Sequence, residues 1–479
     1  MRISNRIKGL IALTTGLAVF NAGCATVGPD YEKPRPELPH EWHTAARDGL
    51  RYGTHDPVQL ARWWTTLNDP ILQDLIDRGV TANRDLEKAK ARIREARGRR
   101  GIAGADLFPR LSSVGSYTTS RTGRDIVSNQ DLYTAGFDAA WELDLFGGIR
   151  RNVEAAEGDL RVEMENLNDV LVSLSAEVGL NYVDVRTYQT RIVVAEKNLE
   201  AQKETYLLTK SRSLVGLGTE LATQQAKYNM ESTSSEIPTL RAALRESMNR
   251  LAILLGKQPG ALDDELNGPG PIPAPPPEIA VGIPIDILRV RPDVRAAEKE
   301  LAARTARVGV AVAEQYPKLT LSGSITLDGF TIGSLFAGNP SHSFGPSFSF
   351  PIFKAGAIRS NIEVQSALQE QALIEYESTI LSALEEVENA IGAYSQEQNR
   401  RRSLDEAVNA ARQAAILAED QYHAGRTDFS NVLEAQRSLL LFEDKLAQSA
   451  GAVTSNLIRL YKAMGGGWDP ASKIEDIEG

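Results

Sequence analysis

Apolar residues take every second position from Ala135 onward: Phe137, Ala139, Trp141, Leu143 and Leu145 follow, with Asp138, Glu142 and Asp144 between them. The pattern returns far downstream. Leu319, Leu321, Ile325 and Leu327 alternate with Thr320, Ser322, Ser324, Thr326 and Asp328. Phe344, Phe348, Phe350 and Ile352 alternate with Ser343, Ser347 and Ser349. A period of two held over ~9–11 residues marks a strand with one apolar and one polar face. It predicts a strand pair at about 111–145 and a second at about 318–353. In a soluble sandwich the apolar faces turn inward. In an outer-membrane barrel they meet lipid, and the polar faces line water.

Elsewhere the period is helical. Leu171, Leu174, Val178, Val185, Tyr188, Ile192, Ala195 and Leu199 fall three and four apart, and 148–213 contains no proline. Leu373, Tyr376, Ile380, Leu384, Val387, Ile391 and Tyr394 repeat the pattern. Each stretch predicts a helix of about 65 residues, about 100 Å long at 1.5 Å per residue. Helices of that length without internal caps need a coiled-coil-like neighbour. Gly216-Leu217-Gly218 closes the first and Gly425 the second, because the left-handed residue ending a helix is usually glycine. Return helices then run to about Leu255 and about Ala463. Ahead of the first strand pair, Asn68 or Asp69 can cap a helix and Pro70 suits its first turn. That helix is expected to continue to about Asp106.

The same order of parts therefore occurs twice: helix, strand pair, long helix, tight turn, helix. Leu107-Phe108-Pro109-Arg110-Leu111 returns as Gln315-Tyr316-Pro317-Lys318-Leu319, and Gly216-Leu217-Gly218-Thr219 as Gly425-Arg426-Thr427-Asp428. The offset stays near ~208 residues, the mark of a repeated architecture. The expected organisation is an extended arm (24–66), a first repeat (67–260), a Pro-rich linker (261–284), a second repeat (285–468) and a short tail (469–479). Four strands cannot close a barrel, and an open sheet edge in a bilayer leaves backbone groups unpaired at several kcal/mol each. A membrane reading thus requires several chains.

Composition narrows the class. The net charge of −10 argues against a nucleic-acid partner, since those proteins carry basic patches. One cysteine excludes an intramolecular disulfide and a Cys-based metal cluster. It sits in Asn21-Ala22-Gly23-Cys24, behind basic Arg2, Arg6 and Lys8 and an apolar stretch from Leu10 to Phe20. That stretch is too short to span a bilayer, which takes ~20 residues. Residues 1–23 read as a lipoprotein signal peptide with Cys24 the acylated residue. Ala25 follows, not the Asp that commonly retains lipoproteins at the inner membrane, so the outer membrane is expected. His40 and His43 have ligand-like spacing, but no further His or Cys cluster completes a metal site. No G-x-S-x-G is present, and Gly256-Lys257 lacks the glycine that a phosphate-binding loop needs before it. No enzyme activity and no cofactor are expected.

Val27-Gly28-Pro29-Asp30-Tyr31, Trp63-Trp64, Arg291-Pro292-Asp293-Val294-Arg295-Ala296-Ala297-Glu298, Phe350-Pro351-Ile352-Phe353 and Gly465-Gly466-Gly467-Trp468 together resemble the outer-membrane factors of tripartite efflux pumps, the TolC family, and most of all its lipoprotein branch. The resemblance spans essentially the whole mature chain. It implies a mainly α homotrimer in which a twelve-stranded β-barrel, four strands per protomer, continues as a long α-helical barrel. It further implies a periplasmic adaptor (membrane fusion) protein and an inner-membrane transporter of the RND type as partners. The chain would be lipid-anchored in the outer membrane, extend into the periplasm, and bind no nucleic acid.

The same resemblance locates candidate residues. Asn431, Glu434 and Arg437 match the family's periplasmic aperture, with Asn431 where TolC has an Asp. Three copies of Glu434 around an axis would form a cation-favouring ring; the alternative is a surface Glu434–Arg437 pair at i,i+3. Tyr422 and Gly425 match the hinge before the turn, and Thr427 stands where TolC has an Arg, next to Arg426. Adaptor contact is expected at Gly216, Gly218, Thr219, Tyr422, Gly425, Arg426 and Thr427. Gln225-Ala226-Lys227 in the first half corresponds to Glu434-Ala435-Gln436 in the second, so the gate is expected in the second. A periplasmic coiled-coil adaptor is the competing reading, but it would carry one hairpin flanked by β-domains. A diffusion porin would need many more strands and no long helices.

Overall fold

The computed structural model describes residues 26–53, 57–122 and 128–469. Cys24 and the leader before it lie outside the described residues. In chain order come strand β1 (Leu50–Tyr52), helices α1 (Pro70–Ala82) and α2 (Arg84–Ala105), strands β2 (Arg110–Thr122) and β3 (Ser128–Leu143), helices α3 (Gly148–Leu214) and α4 (Glu220–Leu254), strand β4 (Ile279–Val281), helix α5 (Pro292–Ala313), strands β5 (Lys318–Gly329) and β6 (Ser341–Ser349), and helices α6 (Ala357–His423) and α7 (Phe429–Ala463). The internal repeat is visible in the lengths. α3 and α6 have 67 residues each, and α4 and α7 have 35 each. The chain divides into two compact units. One takes residues through Pro36, Ala91–Met164 and Ala296–Ser378; the other takes Glu37–Lys90, Glu165–Arg295 and Thr379 onward.

The first unit holds an antiparallel sheet in the order β2-β3-β5-β6. Leu111 pairs with Ala139, Phe137 with Ile325, Trp141 with Leu321 and Leu319 with Phe348. Directly paired residues of antiparallel strands share a face, so one face is mainly apolar, interrupted by Ser113 opposite Phe137 and His342 opposite Ile325. It is also bare: Phe344 and Phe348 are 79% and 69% exposed. The other face carries Ser112, Asp138, Ser324 and Ser343, with Ser324 and Ser343 hydroxyls 2.8 Å apart and Thr134 donating to Asp328 at 2.7 Å. Leu145, Phe350 and Ile352 continue the alternation but fall beyond the strands, which end at Leu143 and Ser349. Pro351 has no N–H for a ladder, and Leu145 turns back to the Leu143 carbonyl. Below β3, the Asp144 carboxylate caps α3 by accepting from the Ile149 and Arg150 amides. The arm is pinned here. Val27 N–H donates to the Phe146 carbonyl, Arg151 pairs with Asp30, and Lys33 pairs with Glu298. Burial opposes ionisation of Glu298, but its bond from Lys33 and the charge of Lys299 hold it below the usual carboxylate range.

The second unit is built on the aromatic core of Trp63, stacked on Tyr461 at 5.6 Å and edge-on to Trp64. Two of the sequence hallmarks meet in it. The buried Arg291 guanidinium donates to the Ala463 carbonyl at the end of α7 and pairs with Asp293 and Glu386. Arg295 pairs with Glu165 and lies over the Trp468 ring. The expected helix 70–106 is instead two helices. Asn83 takes extended backbone angles at the end of α1. Its side-chain oxygen caps α2 through the Asp85 and Leu86 amides, and its amide donates to the Leu254 carbonyl. A residue that satisfies both helix ends is a stable place to break. β1 and β4 form a parallel pair that ties the arm to the linker. The linker carbonyls of Gly268 and Pro273 accept from Arg186 and Thr454.

Candidate functional site at the hairpin tips

Both long helices end in the same hydrogen-bonded turn. Gly216 has φ +75° and Gly425 φ +66°, values that cost an L side chain roughly 1–2 kcal/mol. The next N–H reaches the carbonyl five residues back: Leu217 to Arg212 and Arg426 to Gln421, both at 2.8 Å. Arg426 therefore closes the second turn through its backbone. Beyond the turns the halves differ. Thr219 caps α4 by accepting from the Ala222 amide at 3.2 Å. Asp428, its counterpart, makes no side-chain cap for α7, and Thr427 instead accepts from the Asn431 side chain.

The surfaces differ too. Leu214, Val215, Leu217 and Leu221 at the first turn are all 68–79% exposed. The second turn presents His423, Arg426, Thr427 and Asp428. The first is thus a greasy knob and the second a polar one.

One cluster gathers all four helices beneath the turns. Ala222, Ala226, Phe429, Val432 and Leu433 are buried together, with Tyr206 and Tyr422 packed against them. Tyr422 touches the Phe429 ring at 5.3 Å and lies under the Arg212 guanidinium at 4.8 Å. Gln436 donates to Thr205 of α3 and Glu419 of α6, both at 2.9 Å. Arg437 donates to Asn229 of α4 at 3.0 Å and covers the Tyr228 ring at 4.7 Å.

Of the expected aperture residues, Glu434 is exposed and has no ion-pair partner among the described residues. The Glu434–Arg437 pair does not form, because Arg437 is committed to α4. Asn431 is exposed and turned to Thr427. Gly218 lies against the Arg212 backbone and side chain. The sequence pattern does not single out Arg212, Tyr228, Asn229 or Gln436. For Asn229 and Gln436 the signal is faint: buried polar residues inside a helical apolar stripe, where each needs a partner from another helix.

The model of a family described as "Outer membrane efflux protein" matches residues 75–257 and 284–466, one match per repeat. The chain is 33% identical to Nodulation protein T of Rhizobium leguminosarum bv. trifolii over 466 residues, covering 96% of this chain and 98% of that one. It is 28% identical to the toluene efflux pump outer membrane protein TtgF of Pseudomonas putida, covering 96% and 97%. Among solved structures, the outer-membrane channel OprN is 35% identical with a TM-score of 0.87, over 93% of this chain and all of that one.

Proposed function

We infer an export-conduit role for this chain, which belongs to the outer membrane efflux protein family of TolC-like channels. The observation that carries it is the sheet. Four strands present a mainly apolar, exposed face, and among the described residues both sheet edges lack a partner strand. Three copies give twelve strands, which close a barrel in the outer membrane, and the helices continue it into the periplasm as a second barrel. A closed ring removes the unpaired edges that a bilayer forbids. The protein works with a periplasmic adaptor and an inner-membrane pump, as its relatives do.

Finer assignments follow from this reading. Cys24 carries the lipid anchor, and the pump is of the RND type. The paired turns around Gly216, Gly218 and Thr219 and around Tyr422, Gly425, Arg426 and Thr427 meet the adaptor. Asn431, Glu434 and Arg437 form the periplasmic aperture. Support for Glu434 comes from its exposure and from the absence of an ion-pair partner among the described residues. Three such carboxylates near one axis attract cations and repel each other. In planar bilayers Glu434→Ala is expected to raise conductance or lower the preference for cations. Wild-type values of both would remove Glu434 from the aperture.

A further inference from the structure

Among the described residues β2 pairs only with β3, and β6 only with β5, so they are the two edges of the sheet. In a closed ring of copies, the β2 edge meets the β6 edge of the next. The attached helices share that position. α2 leads into β2, and α6 leaves β6. Between them, Arg100 of α2 pairs with Glu157 of α3, Arg307 of α5 with Asp159 of α3, and Gln369 of α6 donates to Thr305 of α5. The helix layer is ordered α2-α3-α5-α6, and α2 and α6 are its edges.

Each edge helix keeps a second face bare. On α2, Ile93, Ala96 and Ala103 are buried, while Gly98, Gly101 and Ile102 are exposed, Ile102 by 72%. Glycine inside a helix is destabilising relative to alanine. A Cβ at Gly98 or Gly101 would meet nothing among the described residues, so no contact seen there calls for them. On α6, Ala372 and Tyr376 are buried, while Val364 and Ile374 are 53% and 57% exposed. Val364, Ala367, Gln371 and Ile374 keep the three-and-four spacing of a packing seam. Branched side chains on one helix and glycines on the other permit close approach.

Charge supplies an independent match. Glu363, Glu370 and Glu377 lie seven residues apart along α6, all exposed, and none has an ion-pair partner among the described residues. Glu370 borders the groove holding Tyr31, Glu32 and Pro34 of the arm, so this stripe is on the arm side. On α2, Arg92 and Arg99 line a groove with Arg304 and Arg307. Arg307 stands nine residues from Glu298, which grips the arm through Lys33, and so projects from the opposite side of α5. Arg94 falls about 200° around α2 from Arg92, back on the arm side.

We propose that Arg94 of one copy faces the Glu363, Glu370 and Glu377 stripe of the next, flanking a glycine-to-branched seam between α2 and α6. The partner is a second copy of this chain, and the ladder selects it. Exposed ion pairs add little affinity; like charges brought together at a boundary reject a partner more strongly. The proposal rests on the ring-of-copies reading.

The full-length protein, extracted in detergent, is assayed for trimers that resist SDS on warming. Arg94→Glu and, separately, Glu363→Arg/Glu370→Arg/Glu377→Arg are expected to lower the trimer fraction roughly fivefold or more. Combining both sets should restore most of it. Gly98→Leu, whose Cβ meets no described residue outside its own helix turn, should also lose trimer while keeping wild-type helical circular dichroism. Reversed variants that trimerise like the wild type, or a combined variant that does not recover, overturn the ladder. A wild-type chain that is monomeric in the membrane overturns the ring itself, a distinguishable result.

Discussion

Asp69 serves two structures with one carboxylate. Its Oδ1 accepts from the Ile71 and Leu72 amides at 3.0 Å, capping α1. Its Oδ2 accepts from the buried Tyr182 hydroxyl at 2.8 Å, which itself accepts from Arg186. Burial is the main reason the Tyr182 hydroxyl is pushed up to about 12, with Asp69 adding to it and Arg186 opposing. Removing the carboxylate deletes a cap worth ~0.5–2 kcal/mol and strands a buried hydroxyl at ~1–3 kcal/mol. Asp69→Ala should therefore lower the thermal midpoint clearly, and Asp69→Asn, which keeps one of the two accepting oxygens, by less. Circular dichroism melts of the two variants decide this; equal losses would mean the acceptor geometry is not what matters. The capping half of this role was readable from Asn68-Asp69-Pro70. The Tyr182 half was not, because nothing in sequence brings two positions 113 residues apart together.

At the scale of elements, periodicity carried most of the legible information. Period two exposed the strands, and the three-and-four spacing exposed the long helices, because each pattern follows from which face is buried. What stayed hidden depends on single side chains rather than on period. Asn83 breaks a helix with no proline or glycine to announce it, and three-residue β1 and β4 are too short to alternate. The same limit applies at the tips. Arg437 has the spacing of half a surface pair on α7, but it instead bridges α7 to α4 through Asn229 and Tyr228. The two return helices are thus fastened to each other where the turn of α7 lacks a side-chain cap. A cation–π contact of this partly exposed kind is worth ~0.5–1 kcal/mol, and the hydrogen bond about as much. Arg437→Ala should loosen the second hairpin and lengthen the open time of single channels, whereas Glu434→Ala should change ion preference without lengthening it. Single-channel recordings separate them. Identical open times in Arg437→Ala and wild type would show that the bridge does not restrain the gate.

For the whole molecule, the repeat makes a channel nearly sixfold symmetric in backbone and threefold in chemistry. Equal helix lengths and equal turns let both hairpins occupy equivalent places, so any partner meets two different tips in alternation. An adaptor gains most where it covers apolar surface, at ~25 cal/mol per Å². The first tip offers Leu214, Val215, Leu217 and Leu221, and the second offers polar groups that lose hydration when covered. Docking energy should therefore be concentrated in the first half. Burying one leucine fully contributes ~1.5–3 kcal/mol, and every ~1.4 kcal/mol is tenfold in affinity. Leu217→Ser with Leu221→Ser should weaken capture of the cognate adaptor by roughly tenfold or more. Arg426→Ala should change it by less than about threefold, since a rim charge acts mainly on the association rate. Both turns keep their glycines in these variants, so trimer content should match the wild type. Binding of purified adaptor to the trimer in nanodiscs measures the difference. A larger loss from Arg426→Ala than from the leucine pair would place the docking energy on the polar tip and reverse the division of labour between the halves.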